Sequence, residues 1–414
     1  MTRDLLNKIV EKTEHEIEPY IDLIRDRSLA NHARVLRSFR ELNVSDFCFN
    51  GSTGYGYGDV SRDTLDNLYA LIFGAESAIV RTQFVSGTHA IFKTVFSVLR
   101  PGDELVFSTG TPYDTLKRAF SQLGEWDIHY KEVPLSRGLP NLEEIRRSLS
   151  PKTKAVMIQR SRGYQDRHSL SIKEIGEIID AVKGYRSEII CIVDNCYGEF
   201  VEDKEPPQVG ADLTVGSLIK NPGGGIAPAG GYVAGKKDLI EEAAESLTAP
   251  GLGTSIGASL ADVRTLYQGL FLAPHIVNEA LKGAIFAAGL YSNLGFEVSP
   301  HYSEKRSDIV QAVKMGTPER LKEFCRYIQN QSPVDSMAVP EPSFLPGYAD
   351  PVIMAAGTFV QGSSIELSAD APLRPPYWVY LQGGLTYEYT KIILTEVTHQ
   401  LIEGGSIAYP SNLL

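Results

Sequence analysis

Residues 212–225 read DLTVGSLIKNPGGG. A short apolar run ends in a lysine, Lys220, and Asn-Pro and three glycines follow at once. A lysine that serves solubility sits on a polar helix face, so a lysine at a strand end beside a glycine-rich loop asks for a use. Three uses fit the local text. Ser217-Leu218-Ile219-Lys220 can be an S-x-x-K nucleophile–base pair for acyl transfer. Lys220 can be an amine that forms a Schiff base with a carbonyl compound. It can also be an exposed lysine that ends a strand.

Working outward, the chain alternates. Residues 1 to about 45 read as helical from the spacing of Leu5, Ile9, Ile17, Leu36 and Phe39. FNGSTGYGYGD then breaks the periodicity, with four glycines in positions 51 to 58. Beyond it, SAIVRTQFV, DELVFSTG, TKAVMIQRS, EIICIVDN, DLTVGS and GGYVAG read as strands, and helical patterns stand between most of them. Apolar strands separated by helices of 10–15 residues indicate βαβ units. The expected fold class is therefore α/β, a mostly parallel central sheet with helices on both faces. Near residue 250 the pattern changes to a glycine-punctuated turn, long helices and short strands such as FEVSP, DIVQAVKMG, FVQGSSIELS and YWVYLQGG. Three segments follow: residues 1–50 as an N-terminal helical arm, 51–255 as a large binding domain, and 256–414 as a smaller C-terminal α+β domain.

Composition bounds the function. The 414 residues are 43% hydrophobic and 22% charged, with a formal net charge of −11, an ordinary globular balance. That acidity argues against a general nucleic-acid binder, which needs a basic surface. No run of 18 apolar residues is present, so no membrane span is expected. The charged start, MTRDLLNKIVEK, lacks the apolar core of a signal peptide, and a cytoplasmic setting is expected. The four cysteines, Cys48, Cys191, Cys196 and Cys325, form neither C-x-x-C nor a Cys/His cluster. They are expected to be free structural thiols, with no metal site.

Several motif readings fall away. GGYVAGKK, residues 230–237, approaches the P-loop pattern but has Lys237 where a Ser or Thr must hold magnesium, and its glycines flank a strand. GYGYG and GLGTSIG lack the strand–turn–helix setting of a dinucleotide site. The S-D-N and K-T-G companions of S-x-x-K are absent. Pro222 and the glycines also keep Lys220 out of a helix interior.

The Schiff-base reading gains support elsewhere. Asp194 ends the strand IICIVD, 26 residues before Lys220, where α/β ligand crevices open. Such a carboxylate suits the ring nitrogen of a pyridinium cofactor, which must stay protonated to act as an electron sink. Ser86-Gly87-Thr88 turns directly into a helix, and helix-start N–H groups beside a hydroxyl make a phosphate cradle. Tyr113 follows the strand ELVFS and can stack on an aromatic ring. Ser217 can give the phosphate a further hydroxyl.

The order Tyr57, Ser86-Gly87-Thr88, Tyr113, Asp194 and Ser217-x-x-Lys220 resembles the fold-type-I pyridoxal-phosphate enzymes of cysteine and methionine metabolism. GSTGYGYGD, FVSGTHAI and SLIKNPGGGIAPAGGY are most similar to the methionine γ-lyase-like branch often labelled aluminium resistance proteins. The resemblance covers nearly the whole chain. It implies that Lys220 carries pyridoxal 5′-phosphate as a Schiff base, and that Asp194 pairs with the pyridine nitrogen. It gives the phosphate to Gly87, Thr88 and Ser217, and the ring face to Tyr113. Tyr57 would reach the phosphate in a neighbouring subunit, which implies a homodimer or homotetramer with shared sites. Arg374, in APLRPPYW, would take the substrate carboxylate. There are departures. Tyr57-Gly58-Asp59 stands where these lyases carry Tyr-x-Arg, and Ile219 replaces the hydroxyl residue before the lysine. QRSRGYQDR replaces the segment at the cofactor's phenolic oxygen, which leaves Ser161 or Arg162 for that contact.

The resemblance implies a lyase that acts on a small sulfur-containing amino acid. Lys220, its pKa lowered by burial, would take the α-proton. The same site is compatible with aldol cleavage, racemisation or replacement, which share the first carbanion. A different class, a pyridoxal-phosphate-binding stress-response protein without turnover, is the third reading.

Overall fold

The computed structural model describes residues 2–259 and 263–409, so residue 1 and residues 410–414, the outer ends of the expected first and last segments, lie outside it. The chain divides into two compact units. One comprises residues 30–273. The other comprises residues 1–29 and 274–414. The boundaries fall inside two long helices, α1 (Thr2–Glu41) and a later helix, Val263–Asn293. The division thus differs from segments cut at residues 50 and 255, and the helix read over the first 45 residues is one continuous element.

In the larger unit the elements run α2 (Val60–Phe73), β1 (Ser77–Arg81), α3 (Gly87–Val98), β2 (Glu104–Phe107), α4 (Asp114–Ser121), β3 (His129–Glu132), α5 (Leu142–Ser148), β4 (Thr153–Gln159), α6 (Ile172–Tyr185), β5 (Ile190–Asp194), β6 (Leu213–Ser217), β7 (Gly231–Gly235) and α7 (Lys237–Leu247). The seven strands form one sheet in the order β1-β7-β6-β5-β4-β2-β3. Strands β6, β5, β4, β2 and β3 are parallel, and β7 runs antiparallel to both of its neighbours. The expected α/β class is the one observed. Alternation explains why both faces are covered. Leu105, Phe107, Met157, Ile190 and Ile192 join one core with α3, α4 and α7. Val106, Val156, Ile158, Cys191 and Val193 join the other with α5 and α6. Each strand buries both sides, which is why it reads as a continuous apolar run. The exception is β3, the polar edge strand HYKE, whose side chains alternate between exposed and half-buried.

The second unit continues with α8 (Val263–Asn293), β8 (Val298–Ser299), β9 (Gln311–Lys314), α9 (Pro318–Gln331), β10 (Val352–Ala355), β11 (Ser368–Pro372), β12 (Trp378–Gln382) and α10 (Tyr387–Glu403). Its five-stranded sheet, β10-β11-β12-β9-β8, is antiparallel throughout. Within SSIELS only Ser368 is in a strand, because β11 starts there and pairs with Gln382 of β12. No described helix is long and apolar enough to cross a membrane.

The loop after β6 accounts for its glycines. A Cβ on Gly223 would lie 1.8 Å from the Leu218 carbonyl oxygen. Gly224 and Gly225 have φ of 54° and 76°, values that favour glycine. The Gly223 N–H donates to the Lys220 carbonyl at 3.1 Å and so closes the turn directly after the lysine. Gly223→Ala is expected to lower the unfolding free energy by about 3 kcal/mol, as the clash is with backbone and not with a movable side chain. Gly184→Ala, in helix α6 with nothing within 4 Å of the added Cβ, is expected to raise it by about 0.5–1 kcal/mol. Chemical denaturation of the two variants checks this contrast.

Candidate active site

The parallel strands bring their C-terminal ends level. Gln159 of β4 is in register with Asp194 of β5, and Asp194 with Val215 of β6. Ser217 ends β6 and Lys220 follows one turn later. The recess above these ends is the position that the α/β topology assigns to ligands.

On one side of it stands the start of α3. The Ser86 side chain caps the helix by accepting from the His89 N–H. The N–H groups of Gly87 and Thr88 make no hydrogen bond to other described residues. A Cβ on Gly87 would come within 3.0 Å of the Ser217 Cβ, 3.6 Å of its Oγ and 3.7 Å of the Cys196 Sγ. Gly87, Ser217 and Cys196 therefore meet in one place, and only glycine leaves it open. Two free helix-start N–H groups and a serine hydroxyl are the donor set that an oxyanion such as phosphate requires.

The Thr88 and Thr115 hydroxyls lie 3.1 Å apart and join this helix start to the start of α4. Tyr113 immediately precedes α4. Its N–H donates to Gln159 Oε1 at 3.1 Å, and its ring packs edge-on against Tyr164 at 5.5 Å. Gly163, at φ 56°, leaves it room, since a Cβ there would lie 3.1 Å from the Tyr113 ring. The Tyr113 backbone is thus tied to the end of β4, and its ring is packed against Tyr164 and Gly163.

Asp194 is buried, and its Oδ1 accepts the Cys196 N–H at 3.1 Å. Burial raises its carboxyl pKa, and the Lys220 and Arg167 charges pull it back. The Lys220 Nζ lies 3.9 Å from the centre of the Tyr197 ring. Burial by itself lowers the proton affinity of the lysine, as expected from sequence, but the acidic groups around it, of which Asp194 is the one ionised at neutral pH, outweigh it and hold the pKa above the ordinary lysine value. For the chain without a bound partner the expectation of a lowered pKa is corrected: the half-buried amine keeps its proton beside Asp194. A carbonyl cofactor that converts this amine to a Schiff base, and brings a ring nitrogen to Asp194, suits the pair. The phosphate cradle, the tyrosine, the buried carboxylate and the lysine together fit pyridoxal 5′-phosphate.

Two expected residues lie elsewhere. Tyr57 stands on the glycine loop, 66% exposed, and stacks on Tyr55 with centroids 5.8 Å apart. Arg374 belongs to the other unit. Its Nη1 donates to Asp350 Oδ2 at 2.9 Å, in a turn closed by the Tyr377 N–H to the Arg374 carbonyl. Ser161 and Arg162 are buried. The Ser161 carbonyl accepts from Gln159 Nε2 at 3.0 Å and from Arg167, and Arg162 Nε donates to the Gln165 carbonyl at 3.2 Å.

Gln159, Cys196, Tyr197 and Glu199 were not marked from sequence. Gln159 had a signal, since it ends β4 as Asp194 ends β5. Cys196 resembled its three structural counterparts; all four cysteines are free and buried, and this one alone lines the cradle. Among the described residues no group of three His, Cys, Asp or Glu side chains converges as a metal site.

Glu199 is fully buried beneath β6. Its Oε1 accepts the Tyr232 hydroxyl at 2.9 Å, and Oε2 has no partner. A Cβ on Gly216 would lie 2.5 Å from that Oε1, so glycine is what admits the carboxyl. Burial pushes its pKa from 4.5 up to about 8, and Glu205 adds to the rise. The folded chain therefore keeps a proton that the unfolded chain releases above pH 4.5. This contribution to stability is complete below pH 4.5 and is lost as pH rises toward about 8. Glu199→Gln is expected to reduce the fall in unfolding free energy across that range; denaturant titrations at several pH values check it, and an unchanged slope would contradict it.

The chain as a whole is similar to known proteins. The methionine gamma-lyase family model matches residues 6–402. Protein YnbB of Bacillus subtilis is 48% identical over 409 residues, 97% of each chain. The crystal structure of a carbon-sulfur lyase involved in aluminium resistance, from Clostridium novyi, is 49% identical with a TM-score of 0.92 and covers 96% of both chains. The L-methionine gamma-lyase of Pseudomonas deceptionensis is 26% identical over 226 residues, 54% of this chain and 53% of that one. With a match over nearly its whole length, the chain belongs to the methionine gamma-lyase family of fold-type-I, pyridoxal-phosphate-dependent enzymes.

Proposed function

We propose that this protein is a pyridoxal-phosphate-dependent carbon–sulfur lyase acting on a sulfur-containing amino acid of the cystathionine, methionine or cysteine type, with Lys220 as the Schiff-base lysine. The observation that carries the reading is that the buried Asp194 and the half-buried Lys220 stand within electrostatic reach of each other, beside a helix start with free N–H groups. Membership of a lyase family and the likeness to the carbon-sulfur lyase of Clostridium novyi support the reaction class.

Each residue has a task. The Gly87 and Thr88 N–H groups and the Ser217 hydroxyl hold the phosphate. Tyr113 covers the ring and keeps water from its face. Asp194 would pair with the ring nitrogen and keep its proton there, and the Lys220 charge pulls the Asp194 carboxyl toward its ionised form. When bound, the cofactor supplies an electron sink at the substrate α-carbon. Lys220 Nζ would accept the α-proton of the substrate. Arg374 exchanges Asp350 for the substrate carboxylate. The ion pair it gives up is more than a third exposed on both sides and so contributes little. Tyr57 serves the phosphate of a second copy. Its rigid setting supports this: Gly56 packs against the Gly257 carbonyl, and Arg62 holds the Gly56 carbonyl at 2.7 Å, while the tyrosine itself stays exposed. The active unit is a homodimer or homotetramer that works in the cytoplasm.

A panel of sulfur amino acids, assayed for keto acid, ammonia and thiol, is the test. At least one member is expected to be cleaved. Asp194→Asn is expected to keep the cofactor and lose nearly all turnover, because an amide cannot hold the ring proton. Arg374→Ala is expected to raise KM by about tenfold or more with unchanged cofactor absorbance, as a charged hydrogen bond contributes about 1.5–3 kcal/mol. Release of no keto acid from any member, or an unchanged rate in Asp194→Asn, would refute the reading.

A further inference from the structure

The turn from Asp194 to Phe200 holds two large residues in the left-handed region, Tyr197 at φ 72° and Phe200 at φ 63°. A glycine takes this conformation freely, whereas a bulky L residue is strained in it. The surroundings impose it. The Asn195 N–H donates to the Val215 carbonyl at 2.9 Å, the Gly198 N–H to the Asn195 carbonyl at 2.8 Å, and the Phe200 N–H to Glu205 Oε1 at 2.9 Å. Gly198 has to be glycine, because a Cβ there would lie 2.4 Å from the Arg160 side chain. The strain has one visible result: the Tyr197 ring turns its face to the Lys220 Nζ, 3.9 Å from the centroid, well inside cation–π range.

We propose that Tyr197 is the positioning residue for Lys220, and that its ring face holds the amino group at the recess both before it joins the cofactor and after the substrate displaces it. The proposal rests on the reading of Lys220 as the Schiff-base lysine. The other groups that bear on Nζ are Asp194, Cys196 and Glu199, from the same turn as Tyr197. Tyr232 of β7 and Glu205 act on Glu199, and Arg167 acts on Asp194. Burial holds the Cys196 thiol and the Tyr232 phenol far above their ordinary pKa values, so both are neutral. At neutral pH the ammonium therefore faces the electron-rich ring and is within electrostatic reach of the Asp194 carboxylate. A tyrosine kept only for packing would need its shape but not its ring electrons.

The test follows Schiff-base formation, in which the Nζ lone pair forms a C=N bond with the aldehyde carbon and the aldehyde oxygen leaves as water. Full-length protein freed of cofactor is mixed with pyridoxal 5′-phosphate, and the absorbance band of the imine is timed across pH. Tyr197→Phe is expected to keep the parent's midpoint of the pH–rate profile. Tyr197→Leu, and 3,4,5-trifluorophenylalanine at position 197, are expected to move it down by about one pH unit, about tenfold in proton affinity, because the ammonium loses its ring partner. Should the leucine variant not fold, the fluorinated ring, which keeps the shape and withdraws the electrons, decides alone. Unmoved midpoints, with a normal band in the parent, overturn the role of Tyr197 and leave Lys220 as assigned. A parent that forms no band overturns both.

Discussion

A half-buried amine and a buried carboxylate share a recess at the ends of two adjacent parallel strands. The Asp194 carboxylate would not stay ionised there alone, since an unpaired buried charge is costly. Each shifts the proton affinity of the other. Much of the surrounding structure exists to permit the pair. Gly216 makes room for Glu199 and Tyr232 beneath it, Gly223 lets the chain turn directly after the lysine, and Gly87 keeps the cradle open beside Ser217. The three glycines have one function in common, which is close approach.

Much of this was legible in the sequence because burial leaves a pattern. Strands covered on both faces read as apolar runs, so β1, β2, β4, β5, β6 and β7 stand out, and so does the position of Asp194 at the end of one of them. β3 does not stand out, because an edge strand needs no apolar run. β10 is short and buried except at Met354, and four residues give too little pattern to separate it from the loops beside it. The domain division was hidden for another reason: its boundaries lie inside continuous helices, where composition does not change.

The site was partly legible. Lys220, Asp194, Gly87, Thr88, Ser217 and Tyr113 each have a local signature, as a strand end, a helix start or a glycine turn. Tyr197 has none. Its importance comes from a left-handed backbone and from a ring placed over a lysine 23 positions later, and both depend on tertiary structure. The raised proton affinity of Lys220 in the chain without cofactor depends on tertiary structure too. Burial could be read from the apolar context, but the acidic groups that oppose it come from a turn distant in sequence. Two kinds of residue are thereby separated. Those that would hold the cofactor are fixed by the large sheet, while those proposed to choose the substrate and complete the neighbouring site belong to the second unit, as Arg374 does, or to the exposed glycine loop, as Tyr57 does.

The central claim, that Lys220 is the amine which carries the cofactor, is tested most directly by borohydride reduction of the protein with pyridoxal 5′-phosphate bound, followed by proteolysis and mass spectrometry of the modified peptide. The account predicts one stable pyridoxyl adduct per chain, on Lys220. An adduct on another lysine, or none, would contradict it.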